Sequence, residues 1–257
     1  MSQKEIKIII SPAKKMKEKD ALASETVPAF LPYTEKLLGH MREMSESQLR
    51  ELWRCNASIA KENYERIQNM DLRKNLTPAV LSYEGIQYKY MAPAVFEEEA
   101  YEYLQKHLYI LSGFYGAVRA FDGVTPYRLE MQARFRQKDI DSLYCFWGDV
   151  IAKEILKDCS GLVNLASKEY SKAVLPYVPA SIPCITCVFG EVTDGKVREK
   201  GTYAKMARGE MVRFMAEYQI ESLEDIKKFD SHGYRYAKEY SDIQKYVFVR
   251  QEMEKGR

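Results

Sequence analysis

Ser11-Pro12-Ala13-Lys14-Lys15 sets a hydroxyl and two ammonium groups directly after the β-branched run 6–10, where open α/β sheets tend to receive their ligands. Lys14 is therefore a candidate anion contact, although a solvated lysine loop would carry the same residues. Pro126-Tyr127-Arg128-Leu129-Glu130-Met131 alternates charged and apolar residues. In a strand, Arg128 and Glu130 would share one face and Tyr127, Leu129 and Met131 the other. Such a pair is either an internal ion pair or an arginine held by a carboxylate so that it can grip a phosphate or carboxylate.

Three further groups could add to such a site. Ser112-Gly113-Phe114-Tyr115-Gly116 reads as a hairpin between two helical stretches. Gly113 and Gly116 would let the backbone approach a phosphate, with free N–H groups at the start of the second helix; a ligand-free core hairpin is the alternative. Gly148-Asp149 and Asn164-Leu165-Ala166-Ser167 place Asp149 and Ser167 where a cleft could lie, and equally where caps and turns are needed. Lys205 and Arg208 are three apart on one helix and share a face, Gly209 permits close approach, and Arg213 points away.

Other chemistries find little support. Cys184-Ile185-Thr186-Cys187 is a CxxC in a β-like run, where i and i+3 face opposite sides of a sheet, and no second CxxC accompanies it. Two small buried side chains are expected there and no metal. His40, His107 and His232 are scattered, and neither a Walker motif nor GxGxxG occurs. No cofactor is expected, and no known catalytic signature decides whether the chain is an enzyme.

Elements must bring these residues together. The spacing predicts a buried strand over 6–10 and helices over 28–44, 47–55 and 57–70, with Ser45 and Gln48 in capping-box register. A strand over 79–83 and a helix from 95 to 111 follow, then an amphipathic helix over 143–156 and a strand over 161–165. Residues 182–192 and 197–202 flank Asp194-Gly195, a tight hairpin turn. A helix over 203–218, a short helix after Ser222 and a last strand over 246–250 complete the chain, which has no internal repeat.

The 257 residues are 46% hydrophobic and 30% charged, with no linker-like stretch, which favours one compact domain over 1–257. A net charge of +2 is too small for a polycation, so anion binding would need local clustering of charge. Five cysteines, an odd number, fit a reducing cytoplasm, and the charged start around Lys4, Glu5 and Lys7 lacks a signal peptide's apolar stretch. No apolar run approaches the roughly 20 residues of a membrane span.

The six blocks Ile10-Ser11-Pro12-Ala13-Lys14, Leu111-Ser112-Gly113-Phe114-Tyr115-Gly116, 126–131, Phe146-Trp147-Gly148-Asp149, Asn164-Leu165-Ala166-Ser167 and 203–209 occur in order. Together they resemble the signature of the YaaA family of peroxide-stress proteins across nearly the whole chain. Lys15-Met16 and Ala120 depart from the family's usual Thr-Leu and proline.

The resemblance implies a mixed α/β domain, a mixed sheet flanked by helices, with a positively charged cleft and a helix-hairpin-helix-like element. It also implies binding of duplex or branched DNA and protection against peroxide damage linked to iron. On this sequence the hairpin element maps to Gly113 and Gly116, and the cleft to Lys14, Arg128, Lys205 and Arg208. Ser11, Glu130, Asp149 and Ser167 join them as candidates. An alternative from the residues themselves is an enzyme or sensor for a small phosphorylated or carboxylated ligand in the same cleft. A cytoplasmic monomer, away from membranes, is expected.

Overall fold

The computed structural model describes residues 4–18, 24, 26–137 and 139–251. Its centre is the strand β1 (Glu5–Ile10), where Ile8, Ile9 and Ile10 are wholly buried, as a strand covered on both faces of a parallel sheet must be. The sheet's other strands are β2 (Leu108–Ser112), β3 (Gly116–Arg119), β4 (Cys159–Leu165), β5 (Cys184–Thr193), β6 (Lys196–Arg198), β7 (Asp230–Ser231), β8 (Tyr234–Tyr236) and β9 (Lys245–Arg250). They lie in the order β7-β8-β9-β5-β4-β1-β2-β3, and β6 pairs with β5.

The five strands from β9 to β2 run parallel; at the margins β3, β6 and β8 pair antiparallel with them, and β7 pairs antiparallel with β8. The chain leaves β1 for β2 on one side and returns to β4 on the other. The β1–β4 boundary is therefore the point at which strand order reverses. There Ile10 is in register with Leu165, so the loops that begin at Ser11 and Ala166 emerge side by side.

Ten α-helices surround this sheet among the described residues: α1 (Leu31–Arg42), α2 (Glu46–Trp53), α3 (Ala57–Asn69), α4 (Ala79–Ser82), α5 (Ile86–Met91), α6 (Glu98–His107), α7 (Leu143–Trp147), α8 (Val150–Ile155), α9 (Lys168–Ser171) and α10 (Gly201–Glu217). Ser45 and Gln48 form the expected capping box on α2. The Asp194-Gly195 turn joins β5 to β6, both residues at positive φ, as a primed turn requires. Helix α10 packs on α5, α6 and β5.

Several local expectations are corrected. Of the residues 79–83 expected as a strand, Ala79–Ser82 form one helical turn, α4, and Tyr83 alone is in a short strand; short apolar runs do not distinguish the two. The helix expected over 95–111 ends at His107 and its apolar tail becomes β2, because residues 108–112 sit beside β1 and complete its ladder. The helix over 143–156 is broken at Gly148 into α7 and α8.

The helix-hairpin-helix element expected at Ser112-Gly113-Phe114-Tyr115-Gly116 is instead a strand–turn–strand between β2 and β3. Its turn N–H groups at Phe114 and Tyr115 both donate to Ser112 Oγ, at 3.1 and 2.8 Å, and both rings are fully buried. Those donors are occupied inside the protein, so they are not offered to a phosphate. Residues 126–130 form an extended segment outside any strand, yet the expected alternation holds: Tyr127 and Leu129 are buried, Arg128 and Glu130 half-buried.

Candidate functional site

The two loops at the β1–β4 boundary are tied together by serines. Ser11 Oγ donates to Ser167 Oγ at 3.2 Å and accepts the Ser167 N–H at 2.9 Å. The Tyr88 hydroxyl donates to the Ser11 carbonyl at 2.9 Å, which brings α5 over the same point. These groups form part of the wall of a cavity of about 540 Å³, at the place where doubly wound sheets bind ligands.

Two close backbone approaches set the rest of the wall. A methyl at Gly113 would lie 2.6 Å from the Leu129 carbonyl oxygen, so only glycine lets the 126–130 segment pass so near the end of β2. That segment delivers Arg128 and Glu130 to the cavity. A methyl at Gly209 would overlap the carbonyl oxygen of Gln87, so α10 and α5 meet almost backbone to backbone. Lys205 and Arg208, on the same helix, then reach the cavity opposite α5.

Of the ten candidate residues, Ser11, Lys14, Arg128, Glu130, Ser167, Lys205 and Arg208 line this one cavity. Lys14, Arg128 and Lys205, far apart in sequence, therefore converge as the positions of their element ends suggested. Gly113 and Gly116 lie outside it, buried beneath, where the Trp147 indole N–H donates to the Gly113 carbonyl at 3.1 Å. Asp149 also lies outside, in an ion pair with Lys153 at 2.8 Å.

Five cationic side chains, Lys14, Lys15, Arg128, Lys205 and Arg208, line the cavity together with the three acids Glu84, Glu130 and Glu169. Lys14 pairs with Glu130, Lys15 with Glu84 at 3.1 Å, and Arg208 with Glu199 at 3.1 Å. Among the described residues, Arg128 and Lys205 have no such partner, and Arg128 Nε and Arg208 Nε have no hydrogen-bond acceptor.

The acids differ in state. Hydrogen bonds from Lys17, opposed by partial burial and reinforced by Lys15, hold the Glu84 carboxyl below the ordinary range. Burial, and then the negative charge of Glu130, push Glu169 above it, against the Gln132 N–H that it accepts.

Sequence reasoning missed Glu84, Gln87, Tyr88, Tyr127, Glu169 and Tyr170 as site residues. Tyr127 sat inside a segment already singled out, one position from Arg128, and Glu169 lies two residues past Ser167. Gln87 and Tyr88 had no such signal, because α5 is six residues long and becomes part of the wall only through the packing of Gly209.

Of the two CxxC side chains expected to be buried, only Cys187 is fully so. Cys184 is half-buried and Cys187 fully buried, both with free thiols. No helix among the described residues is long and apolar enough to cross a membrane.

A mixed α/β domain whose parallel strands end in a charged cavity at the reversal of strand order has the architecture of the open-sheet α/β class, in which that point is where ligands tend to sit. Comparison with known proteins narrows this. The chain belongs to the peroxide stress protein YaaA family, whose model matches residues 6–240. A UPF0246 protein of Desulfitobacterium hafniense is 51% identical over 251 residues, covering 97% of this chain and all of that protein. A UPF0246 protein of Lachnoclostridium phytofermentans is 50% identical over 248 residues, 96% of this chain and 97% of its own. One of Pediococcus pentosaceus is 47% identical over 251 residues. Family membership supports a role in peroxide stress.

Proposed function

We propose that this family member limits peroxide damage by binding DNA with little sequence preference, its phosphates held at the cleft around Arg128, Lys205 and Arg208. The observation that carries this reading is the meeting of cations from three distant segments in one cavity, two of them without an ion-pair partner among the described residues. Phosphate contacts of this kind give affinity without reading bases. Protection of DNA from iron-linked oxidation in the cytoplasm is the physiological use that the family's role suggests.

A second reading, an enzyme or sensor for a small phosphorylated or carboxylated ligand, is favoured by the cavity's size. About 540 Å³ falls in the range typical of small-molecule sites. Salt separates the two. With about three phosphates contacted, log affinity should fall with log salt at a slope near −2.7, so raising salt from 50 to 200 mM weakens DNA binding roughly 40-fold. Fluorescence anisotropy with random-sequence duplexes measures this. A flat response, or tight binding to one sequence only, would remove the DNA reading.

A further inference from the structure

We propose that the cavity takes a terminal phosphate, a phosphomonoester, in preference to the phosphodiesters inside a nucleic-acid chain. This deepens the DNA reading, on which it rests, by naming which phosphate enters the site. Charge, donors and the wall point the same way.

Charge comes first. Lys14, Lys15 and Arg208 already have carboxylate partners, which leaves Arg128 and Lys205 without one among the described residues. A phosphodiester carries one negative charge, whereas a phosphomonoester carries nearly two at pH 7, so the monoester alone balances both cations. Of the three acids in the wall, Glu84 and Glu130 are held in the ion pairs just named. Glu169 forms none among the described residues, and its raised pKa makes it the acid that takes up a proton as a dianion arrives.

Donors come second. Ser167 Oγ accepts from Ser11, which leaves its own proton to donate. The Lys205 ammonium and the Arg128 guanidinium line the same cavity; Arg128 Nε is buried, but its two terminal nitrogens are neither buried nor paired. Three segments thus supply donors for the three free oxygens of a phosphomonoester, with the arginine fork suited to two of them. A diester keeps only two free oxygens.

The wall limits what else is read. About 540 Å³ is the size of a small-molecule site and too small for a duplex, so the part of DNA that fits inside is a chain end, at a break or a nick. Tyr88 and Tyr127 are only 5% exposed, their hydroxyls are engaged and Tyr127 is stacked on Phe114. Nothing there recognises a base. Recognition stops at the phosphate, in keeping with little sequence preference, and oxidative cleavage of deoxyribose leaves ends of this kind. A small sugar phosphate offers the same chemistry.

Anisotropy compares one duplex sequence with 5′-phosphates, 3′-phosphates or only hydroxyls at its ends, and the same duplex closed by loops. Calorimetry compares deoxyribose 5-phosphate, dimethyl phosphate and succinate. A phosphate at one kind of end should tighten duplex binding tenfold or more over hydroxyl ends, which assigns a DNA terminus. Duplexes that ignore end chemistry or do not bind, with deoxyribose phosphate bound tenfold tighter than dimethyl phosphate and succinate, assign a small phosphomonoester. Ser167→Ala should cut the preference for the monoester several-fold and leave the hydroxyl-ended duplex within about twofold, whereas Arg128→Ala should weaken every phosphate ligand, with thermal melts confirming both folds. No preference for a phosphorylated end, together with a monoester bound no tighter than the diester or succinate, would overturn the inference, as would an unchanged preference in both variants. If the closed duplex still binds with a steep salt dependence in that case, the DNA reading survives; if no duplex binds, both fall.

Discussion

The turn after β2 and the cavity beside it are built from adjoining segments, yet their polar groups are treated in opposite ways. In the turn, Ser112 Oγ takes two backbone N–H groups, the Tyr115 hydroxyl meets Thr125 at 3.0 Å, and Trp147 donates to Gly113. In the cavity, Gln87 Nε2, Arg128 Nε and Arg208 Nε have no acceptor. Buried polar groups in folded proteins are nearly always paired. The turn is thus complete in itself, whereas the cavity wall keeps polar groups without partners. Of the glycines that suggested phosphate binding, Gly113 acts one layer below, by allowing the 126–130 segment to approach, and Gly116 makes room for the Trp147 and Phe30 rings.

That division is broken most severely at Gly209. A methyl there would overlap the Gln87 carbonyl and come within 2.9 Å of the Met91 N–H, so α10 must move away from α5. Overpacking of rigid backbone costs about 3 kcal/mol. Gly209→Ala should lower the thermal midpoint by about 10 °C and, by displacing Lys205 and Arg208, weaken DNA binding as well. A melt within 2 °C of the parent would mean that the close approach does not hold the site together.

The sequence made the charged half of this arrangement legible and hid the rest. Ser11, Lys14, Arg128, Ser167 and Lys205 follow or flank regular elements, and the ends of elements in an open sheet gather on one side, so their convergence could be argued before any contact was known. Local spacing could not decide the segments around them. Residues 108–112 have the apolar content of a helix tail but become β2 because β1 offers them a ladder. The turn 112–116 carries the glycines of a phosphate loop, yet Ser112 uses up its donors. Gln87 enters the wall through α5–α10 packing, which no local pattern encodes.

Charge removal should act on binding and spare the fold. Lys205 is exposed, and removal of the largely buried Arg208 leaves its half-exposed partner Glu199 free to meet water. Lys205→Ala with Arg208→Ala should therefore weaken DNA binding about 10- to 100-fold, since each lost hydrogen bond is worth about 0.5–1.5 kcal/mol net. Thermal stability should change little. Unchanged affinity, with the fold confirmed by its melt, would take α10 out of the site.

Glu169 sharpens the comparison from the acidic side. Its pKa is raised by burial and by Glu130, so as pH falls it loses its negative charge earlier than an ordinary carboxylate does. Falling pH neutralises it as the raised pKa is approached, and the affinity for phosphodiesters, whose own charge does not change there, should rise. Glu169→Gln removes that charge at every pH. It should tighten DNA binding at pH 7 by roughly fivefold, about 1 kcal/mol for a charge several ångströms away, and flatten the pH profile between 7 and 5. An identical profile in the variant would show that Glu169 does not face the bound anion.

The smallest effect is expected at the cysteines, where a peroxide-stress protein invites a thiol mechanism. Desolvation, and then the neighbouring Cys159, push the Cys184 thiol up to about 11. Complete burial pushes Cys187 up to about 12, against the opposing charge of Arg208. The thiolate is the species that reacts with peroxide, and at pH 7 these values leave on the order of one thiol in 10⁴ and one in 10⁵ ionised, against a few per cent for a free cysteine. Cys145, by contrast, is exposed and provides an internal standard. Iodoacetamide at pH 7, followed by peptide mass analysis, should label Cys145 long before Cys184 or Cys187. Replacing both of the latter by alanine should leave DNA affinity within about twofold of the parent and survival of peroxide unchanged. Rapid labelling of Cys184, or loss of protection in the double variant with its fold intact, would move the peroxide chemistry from the cleft to the thiols.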